Sequence, residues 1–156
     1  MNQPHHDSSG LDWLITDFTE RVTGVAHAIV VSSDGVLLAK SDGIPGEPAT
    51  QLALITCGLC GLAKAAAEAF DGGAPVQALM DMQRGLMLVK VISASANLSV
   101  LATSGCDMGL IAHEMTLLVE ALGEALTPRT RTGSLQHRVV TASRRPTTQE
   151  RACRRR

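Results

Sequence analysis

The chain has 156 residues, of which 45% are hydrophobic and 2% aromatic. This composition predicts one domain with an aliphatic core and excludes base stacking on aromatic side chains. The net charge of −1 hides two unlike parts, since residues 1–127 hold five basic and 14 acidic side chains, whereas residues 128–156 hold nine arginines and one glutamate. We expect an acidic body, a basic tail and no nucleic-acid partner.

The first predicted element is an amphipathic helix. Residues 1–9 are polar and show no periodicity, which predicts a disordered lead-in, and the folded domain is expected over residues 10–127. From Leu11 onward apolar side chains recur at helical spacing, with Ser9 as a candidate cap and Gly24 at the end. The predicted buried face consists of Leu11, Leu14, Ile15, Phe18 and Val22.

A β-hairpin is predicted directly after this helix. The stretch AIVVSSDGVLLA places Asp34-Gly35 between two aliphatic runs, and Asp-Gly suits the positive φ that a tight turn requires. We predict strands over Val25–Ser33 and Val36–Lys40, followed by a loop that ends at Pro48. No phosphate-binding loop follows the first strand, which distinguishes this chain from parallel α/β nucleotide enzymes.

A long helix rich in small residues is predicted from Ala49 to Phe70, and Asp71-Gly72-Gly73 is expected to end it. Small side chains recur along it at every fourth position. These positions are Ala49, Ala53, Cys57, Gly61 and Ala65. A stripe without bulky side chains allows the helix to approach another backbone closely, either in a sheet or in a second helix.

Three further strands and a last helix complete the predicted domain. The strands are Val76–Gln83, Leu86–Ser93 and Leu98–Thr103, with turns at Arg84-Gly85 and at residues 95–97. The helix runs from Gly109 to Thr127, where Pro128 ends it. Its predicted buried side consists of Leu110, Ile111, Met115, Leu118, Val119 and Leu122. Residues 128–156 have the composition of a disordered tail.

Two cysteines with C-x-x-C spacing, Cys57 and Cys60, are the first candidates for chemistry. A zinc site needs two more ligands, and Cys106, His27 and His113 do not have ligand spacing. A redox dithiol belongs at the start of a helix, whereas this pair lies about two turns inside the predicted one. We therefore predict structural thiols and neither a metal nor a cofactor.

The cysteine usage and the chain's beginning also predict a compartment. Few cysteines in apolar surroundings and no recognisable signal peptide are typical of a cytoplasmic protein. Charged residues such as Lys64 and Glu68 interrupt the apolar stretches, so we expect no membrane-spanning segment.

The remaining polar clusters favour structural roles. His113-Glu114 begins the H-E-x-x-H motif of zinc proteases, but Leu117 occupies the place of the second histidine. The segment Ser104–Gly109 has no nucleophile elbow, so we predict that it caps the last helix. His27 is predicted to be a core or interface histidine with satisfied hydrogen bonds. We therefore expect a protein that is not an enzyme.

From Leu11 to Thr127, the order of elements and the stretch AIVVSSDGVLLA resemble the roadblock/LC7 family, a domain of dynein light chains and of bacterial GTPase partners. The chain is most similar to an actinobacterial branch that resembles gliding-protein regulators and is encoded beside a sensor-kinase-like protein and a Ras-like GTPase. The resemblance implies an α+β fold with the element order α-β-β-α-β-β-β-α. Its five-stranded antiparallel sheet, of order 2-1-5-4-3, would have one helix on one face and two on the other.

The resemblance also implies a homodimer, in which the third strands pair edge to edge and the two central helices lie side by side. An open apolar edge would otherwise be an aggregation hazard. The predicted interface residues are Ala49, Ala53, Cys57, Gly61, Ala65, Val76, Ala78, Leu79, Met80 and Met82. A proline at Met80 is expected to break the pairing, because proline has no backbone donor.

The implied function is that of a homodimeric adaptor that regulates a small Ras-like GTPase in a bacterial signalling cluster. A partner could recruit it to the membrane. Two alternatives are a scaffold that tethers a membrane sensor kinase and a thiol oxidoreductase that uses Cys57 and Cys60. Arg84, at a predicted turn, is a candidate arginine finger, but an exposed turn arginine is more often simply solvated.

Overall fold

The computed structural model describes residues 8–127, which form three helices and five strands. The elements are α1 (Ser8–Arg21), β1 (Val25–Ser32), β2 (Leu37–Lys40), α2 (Gly46–Ala69), β3 (Gln77–Met82), β4 (Gly85–Ser93), β5 (Ala96–Thr103) and α3 (Met108–Leu126). This order confirms the predicted one. Residues 1–7 of the predicted lead-in and the whole predicted tail, 128–156, lie outside the described residues.

The five strands form a single antiparallel sheet of order β2-β1-β5-β4-β3, as the resemblance implied. The first hairpin turns where Asp-Gly predicts it, because Gly35 adopts a φ of 89° and Ser32 N–H donates to the Val36 carbonyl over 2.9 Å. The Ser32 hydroxyl also donates to Asp34, and this hydrogen bond lowers the pKa of the Asp34 carboxyl. Central strand β5 pairs with β1 and with β4.

Alternation along the strands divides the core into two layers. Ala28 and Val30 of β1 face α1 and α3, whereas Ile29 and Val31 face α2. The predicted arrangement of two helices on one face and one on the other is therefore confirmed. The larger layer includes Phe18 of α1, which is fully buried on the face of the helix that packs on the sheet.

The predicted buried faces of α1 and α3 are confirmed, with one exception in α3. Ile15 of α1 and Ile111 and Met115 of α3 are fully buried. Leu110, however, is 44% exposed, because it lies beside Ile111 and off the stripe that recurs at helical spacing. Its backbone N–H donates to Asp107 Oδ1 over 3.0 Å, so the predicted helix-capping role of the loop before α3 is confirmed.

Most element bounds differ from the predicted ones by one residue, and three starts differ by two residues or more. Helix α1 begins at Ser8, so the candidate cap Ser9 lies inside the helix. Helix α2 begins at Gly46 rather than Ala49 and takes Pro48 into its first turn. A first-turn proline is tolerated because the N–H that it lacks has no partner within the helix. Strand β5 begins at Ala96, because residues 94 and 95 form a two-residue turn in place of the predicted three-residue one.

Candidate interaction surface

Strand β3 leaves one edge of the sheet open, since among the described strands it pairs only with β4. Val91 N–H donates to the Val76 carbonyl over 3.2 Å. Because hydrogen-bonded and non-bonded pairs alternate in an antiparallel ladder, Ala78 and Met80 also direct their backbone groups toward β4. The outward N–H and C=O groups therefore belong to Gln77, Leu79 and Asp81, and they form a template for a further strand.

The opposite edge, at β2, is closed by α1. Asp12 Oδ1 accepts the backbone N–H of Lys40 over 2.9 Å, and Thr16 Oγ1 accepts that of Asp42 over 3.2 Å. The strand is also only four residues long. Short length and covered donors are how proteins protect an edge from pairing, so β3 is the edge available to a partner.

Apolar side chains line β3 on both faces. Ala78 and Met80 pair with Val89 and Met87, which pack under α2, so they share the α2 face of the sheet. Leu79 lies on the opposite face, 42% exposed, and Met80 is 37% exposed. Val76, just before the strand, is 69% exposed. Backbone and side chains of this edge thus both lack partners within the described chain.

Helix α2 exposes a second apolar surface. Leu52 packs against the sheet, but Leu54, Ile55 and Leu62 point outward with exposed fractions of 62%, 47% and 71%. Among residues 8–127, α2 is the one helix long and apolar enough to cross a membrane by length and composition. An 18-residue stretch of it has a mean hydropathy of 1.5, and 17% of that stretch is buried in the domain. One face of this apolar helix is buried in its own domain, and the opposite, exposed apolar face is typical of a surface that binds a partner.

The predicted stripe of small residues divides between two environments. Ala49 and Ala53 are fully buried against the chain's own sheet, Cys57 is half-buried, and Gly61 and Ala65 are exposed. A four-residue step rotates around the helix, because it exceeds one full turn of about 3.6 residues. Ala49 and Ala53 therefore hold α2 on its own sheet, and the predicted interface rests on the other eight residues.

The exposed residues Leu54, Ile55 and Leu62 were not among the predicted interface residues. The predicted interface was based on the small side chains of α2, although apolar side chains occur on every side of this helix. A helix with apolar side chains on all sides is typically covered on all sides. This pattern was therefore sufficient to predict that Leu54, Ile55 and Leu62 face a partner.

Cys57 and Cys60 are both half-buried free thiols. The Cys57 Sγ donates to the Ser33 carbonyl over 3.4 Å. Burial raises the pKa of the Cys60 thiol, although the nearby Lys64 ammonium opposes this shift. A raised pKa is the opposite of what a nucleophilic redox thiol requires. Among residues 8–127, no cluster of three or more His, Cys, Asp or Glu side chains could hold a metal.

We predict that replacing both Cys57 and Cys60 with alanine lowers the free energy of unfolding by at most about 3 kcal/mol and leaves partner binding intact. The lost thiols leave small cavities, and the higher helix propensity of alanine offsets part of that cost. Urea unfolding measures the change, with Cys106→Ala as a control outside α2. Stoichiometric zinc in the wild-type protein, or lost partner binding with the fold intact, would contradict a structural role.

The other candidate residues lie apart from one another. Glu114 accepts a hydrogen bond from Arg21 over 2.7 Å and thus joins α3 to α1, while neighbouring His113 is exposed. Arg84 is exposed in the turn between β3 and β4. His27 is half-buried on β1, but its buried Nδ1 has no hydrogen-bond partner within residues 8–127, which contradicts the prediction of a satisfied histidine.

Five antiparallel strands of order 2-1-5-4-3, between one helix and two, define a class of small α+β domains with an open third-strand edge. The sequence profile of the Roadblock/LC7 domain matches residues 11–102. The chain therefore belongs to the Roadblock/LC7 family. A search of curated proteins finds no match.

Several solved structures share this fold. A Roadblock/LC7 domain from Streptomyces avermitilis is 28% identical, with a TM-score of 0.71 over 74% of this chain and 96% of that one. A second structure of such a domain from the same organism is 34% identical, with a TM-score of 0.60 over 71% and 96%. MglB of Myxococcus xanthus is 12% identical, with a TM-score of 0.71 over 80% and 92%, a likeness of fold alone.

Proposed function

We propose that the protein is a non-catalytic adaptor that acts as a homodimer. The observation that carries this proposal is the open β3 edge, whose outward backbone groups at Gln77, Leu79 and Asp81 match those of a second copy related by a twofold axis. The exposed apolar face of α2 gives the same second copy a surface to cover. Membership of the Roadblock/LC7 family supports a regulatory rather than an enzymatic role.

The partner that we propose is a small Ras-like GTPase in the cytoplasm of a bacterium, with a sensor-kinase-like membrane protein in the same complex. The basis is the similarity to gliding-protein regulators, whose fold this domain shares. A regulator without chemistry of its own acts by binding one nucleotide state better than the other, which shifts the population of the switch loops. It needs no catalytic residue for this.

The test is binding of the purified dimer to the nearest-encoded small Ras-like GTPase, loaded either with GDP or with a non-hydrolysable GTP analogue. We expect the two Kd values in calorimetry to differ by about tenfold or more, which corresponds to about 1.4 kcal/mol of differential affinity. In a separate assay of GTP hydrolysis by the same GTPase, Arg84→Ala should behave as the wild type does, because an exposed turn arginine supplies no arginine finger. Equal or undetectable binding of both states would contradict the proposal.

A further inference from the structure

A cavity of about 300 Å³ lies between the second half of α2 and the sheet, near the start of β3. Its walls are mostly aliphatic and include Ala63 of α2, Ala78 of β3, and Val89 and Val91 of β4. Among the ten predicted interface residues, only Ala78 borders it. Gln77, whose outward backbone groups we assign to the second copy, also borders it, so the cavity adjoins the start of the β3 edge. Leu79, Asp81 and the exposed Leu62 of α2 do not line it.

One buried amide faces this cavity. Asn97 of β5 is 7% exposed and pairs in register with Val31 and Val91, which places its side chain on the α2 face of the sheet. No hydrogen bond to its side chain occurs within the described residues. The Asn97 amide is not one of the fully buried polar groups that lack a partner, because its atoms keep access to solvent through the cavity. It is therefore free to bind a polar atom of a ligand that enters there.

One cation stands beside the same cavity. Lys64, one turn after Cys60 on α2, lines the wall and forms no ion pair within residues 8–127. Glu68 and Asp71 border a neighbouring cleft together with Lys64, but neither carboxylate lies within 4.0 Å of the ammonium. The ammonium is therefore free to pair with an anion that enters between α2 and the sheet.

We propose that this cavity binds a small amphipathic carboxylate, with its aliphatic chain between α2 and β4 and its carboxylate on the Asn97 amide and the Lys64 ammonium. The aliphatic walls select the chain, and the two donors select a terminal anion over a hydroxyl or an amine. An apolar cavity of about 150 Å³ binds benzene, so twice that volume has room for roughly twelve non-hydrogen atoms. An eight-carbon carboxylate fits within that number.

Calorimetry with octanoate, 1-octanol and octylamine on the full chain tests the site. We expect octanoate to bind at one per chain, and to bind at least about tenfold more tightly than either control, because only the carboxylate pairs with both donors. Lys64→Met should reduce octanoate affinity to that of 1-octanol, since it removes the charge but keeps the length of an exposed side chain. Arg84→Met, which changes a cation in the turn between β3 and β4, should bind octanoate as the wild type does.

Alkylation of Cys60 gives a second measurement of the same occupancy, since the thiol lines the cavity. Saturating octanoate should slow the reaction of Cys60 with iodoacetamide at least about fivefold and leave Cys106 unaffected, because a filled cavity excludes the reagent. Unchanged Cys60 reactivity, equal affinity for octanoate and 1-octanol, or wild-type affinity in Lys64→Met would each overturn the proposal. So would the absence of octanoate binding, whatever the oligomeric state.

Discussion

Replacing Leu79 with proline should convert the dimer into a monomer. The backbone N–H of Leu79 points away from β4, so proline removes a donor to the second copy and no donor of the chain's own sheet. A twofold dimer loses this contact twice. At about 1.4 kcal/mol for each loss, the dimer Kd should rise about a hundredfold, which sedimentation equilibrium would measure.

Met80→Pro is the matched comparison. The N–H of Met80 points toward β4, so proline there breaks the chain's own ladder and should lower the melting midpoint of the fold as well. Leu79→Pro should make the protein monomeric, and the melting midpoint of the monomer should stay nearly unchanged. A wild-type monomer at tens of micromolar, or a Leu79→Pro variant that remains dimeric, would contradict the β3 edge as the interface.

The difference between Leu79 and Met80 depends on the register of the β3–β4 hairpin, which was not predicted correctly from the sequence. The predicted turn at Arg84-Gly85 makes Gln83 and Leu86 the closing pair of the hairpin and points the Met80 N–H outward. In the structure the turn is Gln83-Arg84 and Met82 pairs with Gly85. A shift of one residue exchanges the inward and outward backbone groups along the whole strand, so the observed register makes Leu79 the more selective position for a proline than Met80.

Periodic apolar patterns were the dependable part of the sequence. The spacing along α1 from Leu11 to Val22 and the Asp34-Gly35 turn each depend on neighbours within a few residues, and both are confirmed. The order of the strands came from the family resemblance, because a strand order requires contacts between distant segments that no local pattern records.

The features of the candidate site that the sequence could not show all depend on tertiary packing. Asn97 was expected in a turn, and only the register of β5 places its amide on the α2 face, where it lines the same cavity as Lys64. His27 lies between apolar neighbours in the sequence, and nothing there indicates that its Nδ1 has no partner in the described part of the chain. Burial and satisfaction of polar groups are decided by neighbouring elements, and the sequence alone does not specify which elements these are.

Helix α1 connects the core to the choice of interface. Its apolar face holds it on the sheet through Phe18, and its polar face covers the β2 edge through Asp12 and Thr16. If α1 loosened, a second edge would become available for pairing, and the protein would lose the asymmetry that directs a second copy to β3. Core packing therefore contributes to specificity as well as to stability.

Phe18→Ala should lower the free energy of unfolding by about 3–5 kcal/mol, because the ring is fully buried and its loss leaves a large cavity. This is a large share of the stability of an ordinary domain. Trp13→Ala, in the same helix, is the matched control. Its ring is 66% exposed, so the change should stay within about 0.5 kcal/mol.

Urea unfolding at one fixed protein concentration measures both variants, since the stability of a dimer depends on concentration. Hydrogen exchange of the Lys40 amide tests the link to the edge, because Asp12 Oδ1 accepts that N–H only while α1 remains docked. We expect this amide to exchange faster in Phe18→Ala and at the wild-type rate in Trp13→Ala. A loss below about 1.5 kcal/mol in Phe18→Ala, or an equal loss in Trp13→Ala, would show that α1 is not held by its buried face.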